Sequence, residues 1–246
     1  MGTLRFLLAL IAVLLTVSAP LAAEPLRVAV SRAWTLPYGK IEHDQLTSGI
    51  IADIYSAIAV QGSFAVQQVV LPRKRIEKEG AAGAFDIHCY TNPNWRDTPD
   101  DNVWSKPLFR VEDVIIGIAG TPDPTSIDGL LGGAGISTVL GYNYPGLEAA
   151  LAKGKVVRDD SIDEQKVLLK LTAGRTPYGI ATSPAVDWYR SVTPQHNLAP
   201  WRLTLEKFDI HCAIPKRGRI PAQRLLDVIE QLRKTYRFEE IQMQYR

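Results

Sequence analysis

The pentapeptide Phe-Asp-Ile-His-Cys occurs twice, at Phe85–Cys89 and again at Phe208–Cys212. The last residue of each copy is one of the only two cysteines in the chain. Segments 123 residues apart therefore carry the same side chains, and the fold must either join them or keep them apart. Three readings are open from the residues alone: a disulfide, a metal site, or a coincidence.

The first residues bear on the redox compartment. Arg5 precedes an apolar run from Phe6 to Val17, and small residues follow at Ser18-Ala19 and Ala22-Ala23. The run is too short to span a bilayer. This is the pattern of a secretory signal peptide over residues 1–23, with cleavage after Ala22 or Ala23; a membrane anchor is the alternative. No cysteine lies near the cleavage site, which argues against a lipoprotein. Exported chains with two cysteines commonly pair them. No second long apolar run follows, so the mature chain of about 223 residues is expected to be soluble. Without Arg5 it has 27 basic and 26 acidic residues. That balance points to no nucleic-acid partner and no acidic membrane surface.

The mature chain reads as alternating strands and helices. Leu26–Val30 is a strand, and Trp34–Tyr38 a loop. Ile50, Ile51, Ile54 and Ile58 share one face of a helix that follows Gly49. Residues 64–71 are β-rich, Arg73–Glu79 is a charged helix ended by Gly80, and Phe85–Tyr90 is a strand. That β-α-β-α-β order predicts a mostly parallel sheet covered by helices. Tyr90–Lys106 reads as a long loop. Asp113–Ile118 opens a second alternating region with strands at Gly135–Val139, Lys155–Arg158 and Tyr178–Thr182. Within it a helix runs from Pro145 to Gly154, and Ser161 with Glu164 forms a capping box for another. Trp188–Pro200 reads as loop, Phe208–Pro215 as strand, and Pro221 opens a last helix. Two α/β units are expected, the second inserted into the first.

Several segments, in order, resemble the type II periplasmic solute-binding proteins, in the group that includes the amino-acid binders of ABC transporters. They are Trp34-Thr35-Leu36-Pro37-Tyr38, Gly49-Ile50-Ile51-Ala52-Asp53-Ile54, Leu71-Pro72-Arg73-Lys74-Arg75 and Gly83-Ala84-Phe85-Asp86. Thr91 to Arg96 keeps a Thr-x4-Arg spacing, and Trp104–Leu108 and Cys212–Lys216 complete the series. The resemblance spans almost the whole mature chain. It implies an α/β fold of two lobes, each a mixed, mostly parallel sheet with flanking helices, joined by two crossover strands. Lobe one would comprise residues 24–112 and 206–246, and lobe two residues 113–205. Solute would bind in the cleft between them, and closure would follow a hinge.

The resemblance also nominates residues. Arg96 would grip a ligand carboxylate through its guanidinium fork, with Thr91 as companion donor. Gly141, Tyr142 and Asn143 form the second-lobe loop, whose backbone N–H groups suit an anion. Thr182 and Ser183 stand where the family places the Asp that pairs with a ligand ammonium, so the ammonium partner is expected to be missing. Trp34, Tyr38, Trp95 and Trp104 are candidate cleft aromatics, and Arg75 a candidate cleft cation. No cofactor and no metal is implied. The expected location is the periplasm, the expected form a monomer, and the expected partners a small solute with an ABC permease or a membrane sensor. No catalytic motif is present; a dehydratase-like enzyme on the same fold is the enzymatic alternative.

The family topology places the returning strand beside strand three and antiparallel to it. Opposing Cys89 to Cys212 then sets His88 against Ala213 and His211 against Tyr90. Directly opposed Cα atoms about 4.5–5.5 Å apart are compatible with a disulfide. A single Cys2His2 site is disfavoured, because adjacent His and Cys on a strand point to opposite faces.

Overall fold

The computed structural model describes residues 25–130 and 132–245. The expected signal peptide at residues 1–23 lies outside the described residues. The strands are β1 Leu26–Ser31, β2 Lys40–Glu42, β3 Gln45–Ser48, β4 Val66–Leu71, β5 His88–Thr91, β6 Asn102–Trp104, β7 Phe109–Gly117, β8 Ala134–Val139, β9 Val156–Ser161, β10 Tyr178–Thr182 and β11 Leu203–Pro215. The helices are α1 Ile50–Gly62, α2 Ile76–Ala81, α3 Glu148–Ala152, α4 Glu164–Thr172, α5 Ser183–Val192, α6 Ala222–Lys234 and α7 Arg237–Met243.

β11 and β7 join the two halves of the molecule. The late part of β11 pairs antiparallel with β5 and β6, and its early part pairs antiparallel with β7. β7 pairs with β10, and β10, β8 and β9 continue in parallel. On the other side, β1 pairs parallel with β4, and a parallel bridge from Val28 to Ile87 ties β1 to the segment entering β5. Each half is thus a mixed sheet with parallel inner strands, and the two long strands cross between them.

Strand alternation explains how β7 serves two layers. Val114 and Ile116 pack in the main core with Leu168 and Leu171 of α4 and Val186 of α5. Ile115, on the opposite face, packs in a second core with Leu130, Ile136, Leu147, Tyr178 and Ile180. A period of two divides the strand's side chains between the faces.

The structure revises several local expectations. Trp188–Pro200 is not wholly loop, since α5 extends to Val192 with Pro184 in its first turn, where its missing N–H costs nothing. The loop before β7 contains β6, an edge strand too short to show a period. The cap of α4 is Asp163, which accepts from Lys166 N at 2.7 Å. Glu164, the expected capping-box partner of Ser161, instead turns inward and is buried.

The register of β5 against β11 is Cys89 to Cys212 and Ala213 to His88, as expected, but His211 faces Thr91 rather than Tyr90. Tyr90 adopts φ 60° and is the extra residue of a β-bulge. Cys89 and Cys212 form a disulfide with Cα atoms 3.9 Å apart, closer than the expected separation of an unlinked pair. Both cysteines are fully buried.

The two copies of the repeat diverge beyond the cysteines. Asp86 is buried and bonds Arg27 Nε and Nη2 at 3.0 and 2.6 Å, and it also accepts from the backbone of Arg219. Asp209 is half-buried and pairs with the exposed Arg110. His88 is buried, whereas His211 Nδ1 lies 2.8 Å from Ser105 O on a part-exposed edge. Only the cysteines act as a pair.

Candidate functional site

Between the two halves lies a narrow cavity lined by Trp34, Arg73, His88, Tyr90, Thr91, Trp95, Asp113, Tyr142, Asn143 and Thr182. Its volume is about 30 Å³, counted as space for the centres of water molecules. That is room for about two waters.

One wall comes from β5 and the turn after β4. The bulge at Tyr90 decides its composition. In a regular strand residues 88 and 91 would point to opposite faces. The extra residue brings His88 and Thr91 onto the same face, where Arg96 holds both. Arg96 Nε donates to Thr91 Oγ1 at 3.1 Å, and Arg96 Nη2 lies 2.6 Å from His88 Nδ1. Its third nitrogen is 3.8 Å from Glu77 Oε1. Arg96 is buried, and burial lowers its pKa to about 10. Trp34 stacks on the His88 ring, with centroids 5.7 Å apart and planes within 7°. Trp95 packs edge-on against Phe208 at 5.0 Å.

The facing wall is acidic. Asp113 of β7 is buried beside Thr182, its register partner on β10. Burial, then the charges of Glu164 and Glu206, push the Asp113 carboxyl well above the usual carboxylate range. Behind it, Thr182 Oγ1 donates to Glu164 Oε2 at 3.1 Å and accepts from Tyr38 Oη at 3.0 Å. Burial raises Glu164 to about 7, although its hydrogen bonds from Thr182 oppose the shift. Tyr38 also packs on Tyr90, with ring centroids 4.1 Å apart.

Of the residues nominated by sequence, Trp34, Thr91, Trp95, Tyr142, Asn143 and Thr182 line the cavity. Tyr38 and Arg96 do not, but each is bonded to a residue that does. Arg75 points away to Glu79, with its side chain 60% exposed, and its neighbour Arg73 lines the cavity instead. Ser183 is turned to the Glu112 carbonyl, and Gly141 lies against Lys74. Trp104 bonds the Pro99 carbonyl and packs on His211, away from the cavity. The Tyr142 N–H is already donated to Val139 O, so the loop does not present the full row of free amides expected of it.

The second half does present a carboxyl to the cavity, that of Asp113. The Asp expected on β10 is replaced by Thr182, but the neighbouring strand supplies a carboxyl to the same wall. Asp113 opens an apolar strand, Val114-Ile115-Ile116. A charged residue at the mouth of so apolar a run was the available signal.

Comparison with solved structures supports the architecture. An ancestral arginine-binding protein bound to arginine superposes with a TM-score of 0.76 at 16% identity, covering 91% of this chain and 99% of that one. An ancestral amino acid-binding protein, described as a precursor of cyclohexadienyl dehydratase, gives 0.71 at 17% identity, covering 90% and 94%. The fold is that of the two-lobed type II periplasmic binding proteins. At these identities the likeness establishes fold alone. In sequence, 91 residues are 31% identical to the membrane-bound lytic murein transglycosylase F of Shewanella pealeana. That match covers 36% of this chain, which spans only 19% of the relative's length. No family model matches the chain.

Proposed function

We propose that the protein is a periplasmic solute-binding protein that closes on a small carboxylate-bearing solute and delivers it to an ABC-type permease. The observation that supports this reading most is the polarity of the cavity. Arg73 lines one wall and, among the described residues, its side chain makes no hydrogen bond or ion pair. Asp113 lines the other. A solute with a carboxylate at one end and an ammonium at the other would satisfy both, which favours the amino-acid class bound by the similar solved proteins. Lobe one then comprises residues 24–112 and 206–246, and lobe two residues 113–205, with β7 and β11 as the hinge. A thermal-shift screen of amino acids, organic acids and small amines, followed by calorimetry, tests the reading. Stabilisation by none of them defeats it.

A second reading, a dehydratase-like enzyme, is favoured by one feature. The Asp113 carboxyl, whose pKa burial and the charges of Glu164 and Glu206 push upward, lines the cavity where a proton donor would stand. Turnover of a bound solute would support that reading, and recovery of the solute unchanged would count against it.

A further inference from the structure

His88 is 3% exposed, lines the cavity, and among the described residues has one ring nitrogen without a hydrogen-bond partner. The other nitrogen settles which of them holds the proton. Nδ1 lies 2.6 Å from Arg96 Nη2. A guanidinium has only donors, so Nδ1 must accept. In the neutral ring the hydrogen then resides on Nε2. A proton on Nδ1 would face the guanidinium donor directly, and burial with the positive charges of Arg96 and Arg73 lowers the ring's pKa in the same direction. Nε2 is therefore a buried N–H donor with no acceptor, and such a group is costly to leave unmade.

Thr91 is placed in the same way. Its hydroxyl accepts from Arg96 Nε at 3.1 Å, and among the described residues its own hydrogen has no acceptor. Both donors depend on one guanidinium, and both reach one face through the bulge at Tyr90.

We infer that Arg96 does not contact the solute but positions His88 Nε2–H and Thr91 Oγ1–H as a pair of donors to a carboxylate, with Arg73 beside them as the countercharge. The inference rests on the solute-binding reading for its ligand and names the groups that recognise it. His88 and Thr91 are the binding residues, and Arg96 is a positioning residue. Uncharged donors at this point discriminate by geometry. They satisfy a planar carboxylate or carbonyl oxygen and reject an ammonium, which has no lone pair to offer.

The test uses the 15N-labelled chain and sodium acetate as probe, against sodium chloride at equal ionic strength. Long-range 1H–15N spectra report the tautomer directly, with His88 assigned through His88→Gln. The expected result is a single Nε2–H form that does not titrate between about pH 5 and 8. In Arg96→Met the ring becomes a tautomer mixture and titrates, a change that a merely structural arginine would not produce. Acetate should shift the His88 Nε2–H signal, bind about tenfold more weakly to His88→Leu, and recover in His88→Gln, whose amide can donate from a similar position. An Nδ1–H tautomer overturns the inference, as does unchanged acetate affinity in His88→Leu. Acetate shifts in other cavity residues with His88 unmoved defeat the recognition role and leave solute binding standing. Should neither acetate nor the amino-acid panel move any cavity signal, both fail.

Discussion

Tyr38 Oη donates to Thr182 Oγ1 across 3.0 Å, joining the loop after β1 to the end of β10 on the far side of the cavity. Thr182 passes the contact on to Glu164. The three groups form a chain of hydrogen bonds beside the cavity, buried throughout. Removing the first link with Tyr38→Phe leaves Thr182 bonded to Glu164. The expected outcome is a loss of about 1 kcal/mol in stability and a population shift toward open lobes. Small-angle scattering would register the shift as a larger radius of gyration. An unchanged scattering profile would show that the bond does not bias closure.

Glu164 gives the protein a pH dependence with a definite sign. Its carboxyl rises from 4.5 to about 7 on burial. Below about pH 4 it is protonated in both folded and unfolded chains, and no penalty arises. As pH rises the unfolded chain releases its proton first, so stability falls across the interval and is lowest above pH 7. Asp113, raised in the same direction, reinforces the trend. Glu164→Gln removes Glu164's contribution. The variant should be more stable than the parent above neutrality, by up to about 3 kcal/mol, with the difference fading toward pH 4. Urea unfolding at several pH values measures it; a gap that does not depend on pH refutes the assignment.

The Cys89–Cys212 bond, across a sequence separation of 123 residues, closes a loop from β5 to β11 that contains β6 through β10. In the chain-entropy model such a loop is stabilised by up to about 5 kcal/mol. The double variant Cys89→Ser, Cys212→Ser should lose much of that, because both side chains are fully buried and buried hydroxyls are costly to leave unpaired. Denaturation midpoints for the parent, reduced and doubly substituted proteins provide the comparison. Two free thiols in exported parent protein, found by non-reducing peptide mapping, would contradict the structure.

Much of this architecture was legible in the sequence because it rests on period and punctuation. The apolar runs of β1, β7 and β10, the isoleucine face of α1 and the Pro-opened α6 all carried their signals locally. The cysteine pairing followed from the family topology. What the sequence hid was set by single-residue geometry. The bulge at Tyr90 has no marker, since a tyrosine at φ 60° is tolerated only by its surroundings. It shifted His211 to Thr91 and gave the cavity His88. The choice of Arg73 over Arg75 depends on the rotation of a single 3-10 turn, and two arginines one residue apart look alike in a motif. The family likeness points to β10, whereas the Asp113 carboxyl comes from the adjacent strand β7.

The two arginines of that turn offer a direct contrast. Among the described residues Arg73 lines the cavity without an ion pair, and Arg75 is exposed and pairs with Glu79 one helical turn away. An exposed i,i+4 pair contributes little to stability or to a remote site. An unpaired guanidinium at a cavity wall has its full charge available to a bound carboxylate. Arg73→Ala should therefore weaken binding of the solute found by screening about tenfold to a hundredfold. Arg75→Ala should leave affinity within about twofold. Calorimetric titration of both variants, with thermal unfolding as the check on folding, measures the difference. Equal losses in the two would mean that long-range charge, and not contact at the cavity wall, governs binding. A loss confined to Arg75→Ala would place the carboxylate on the other face of the turn and remove Arg73 from the site.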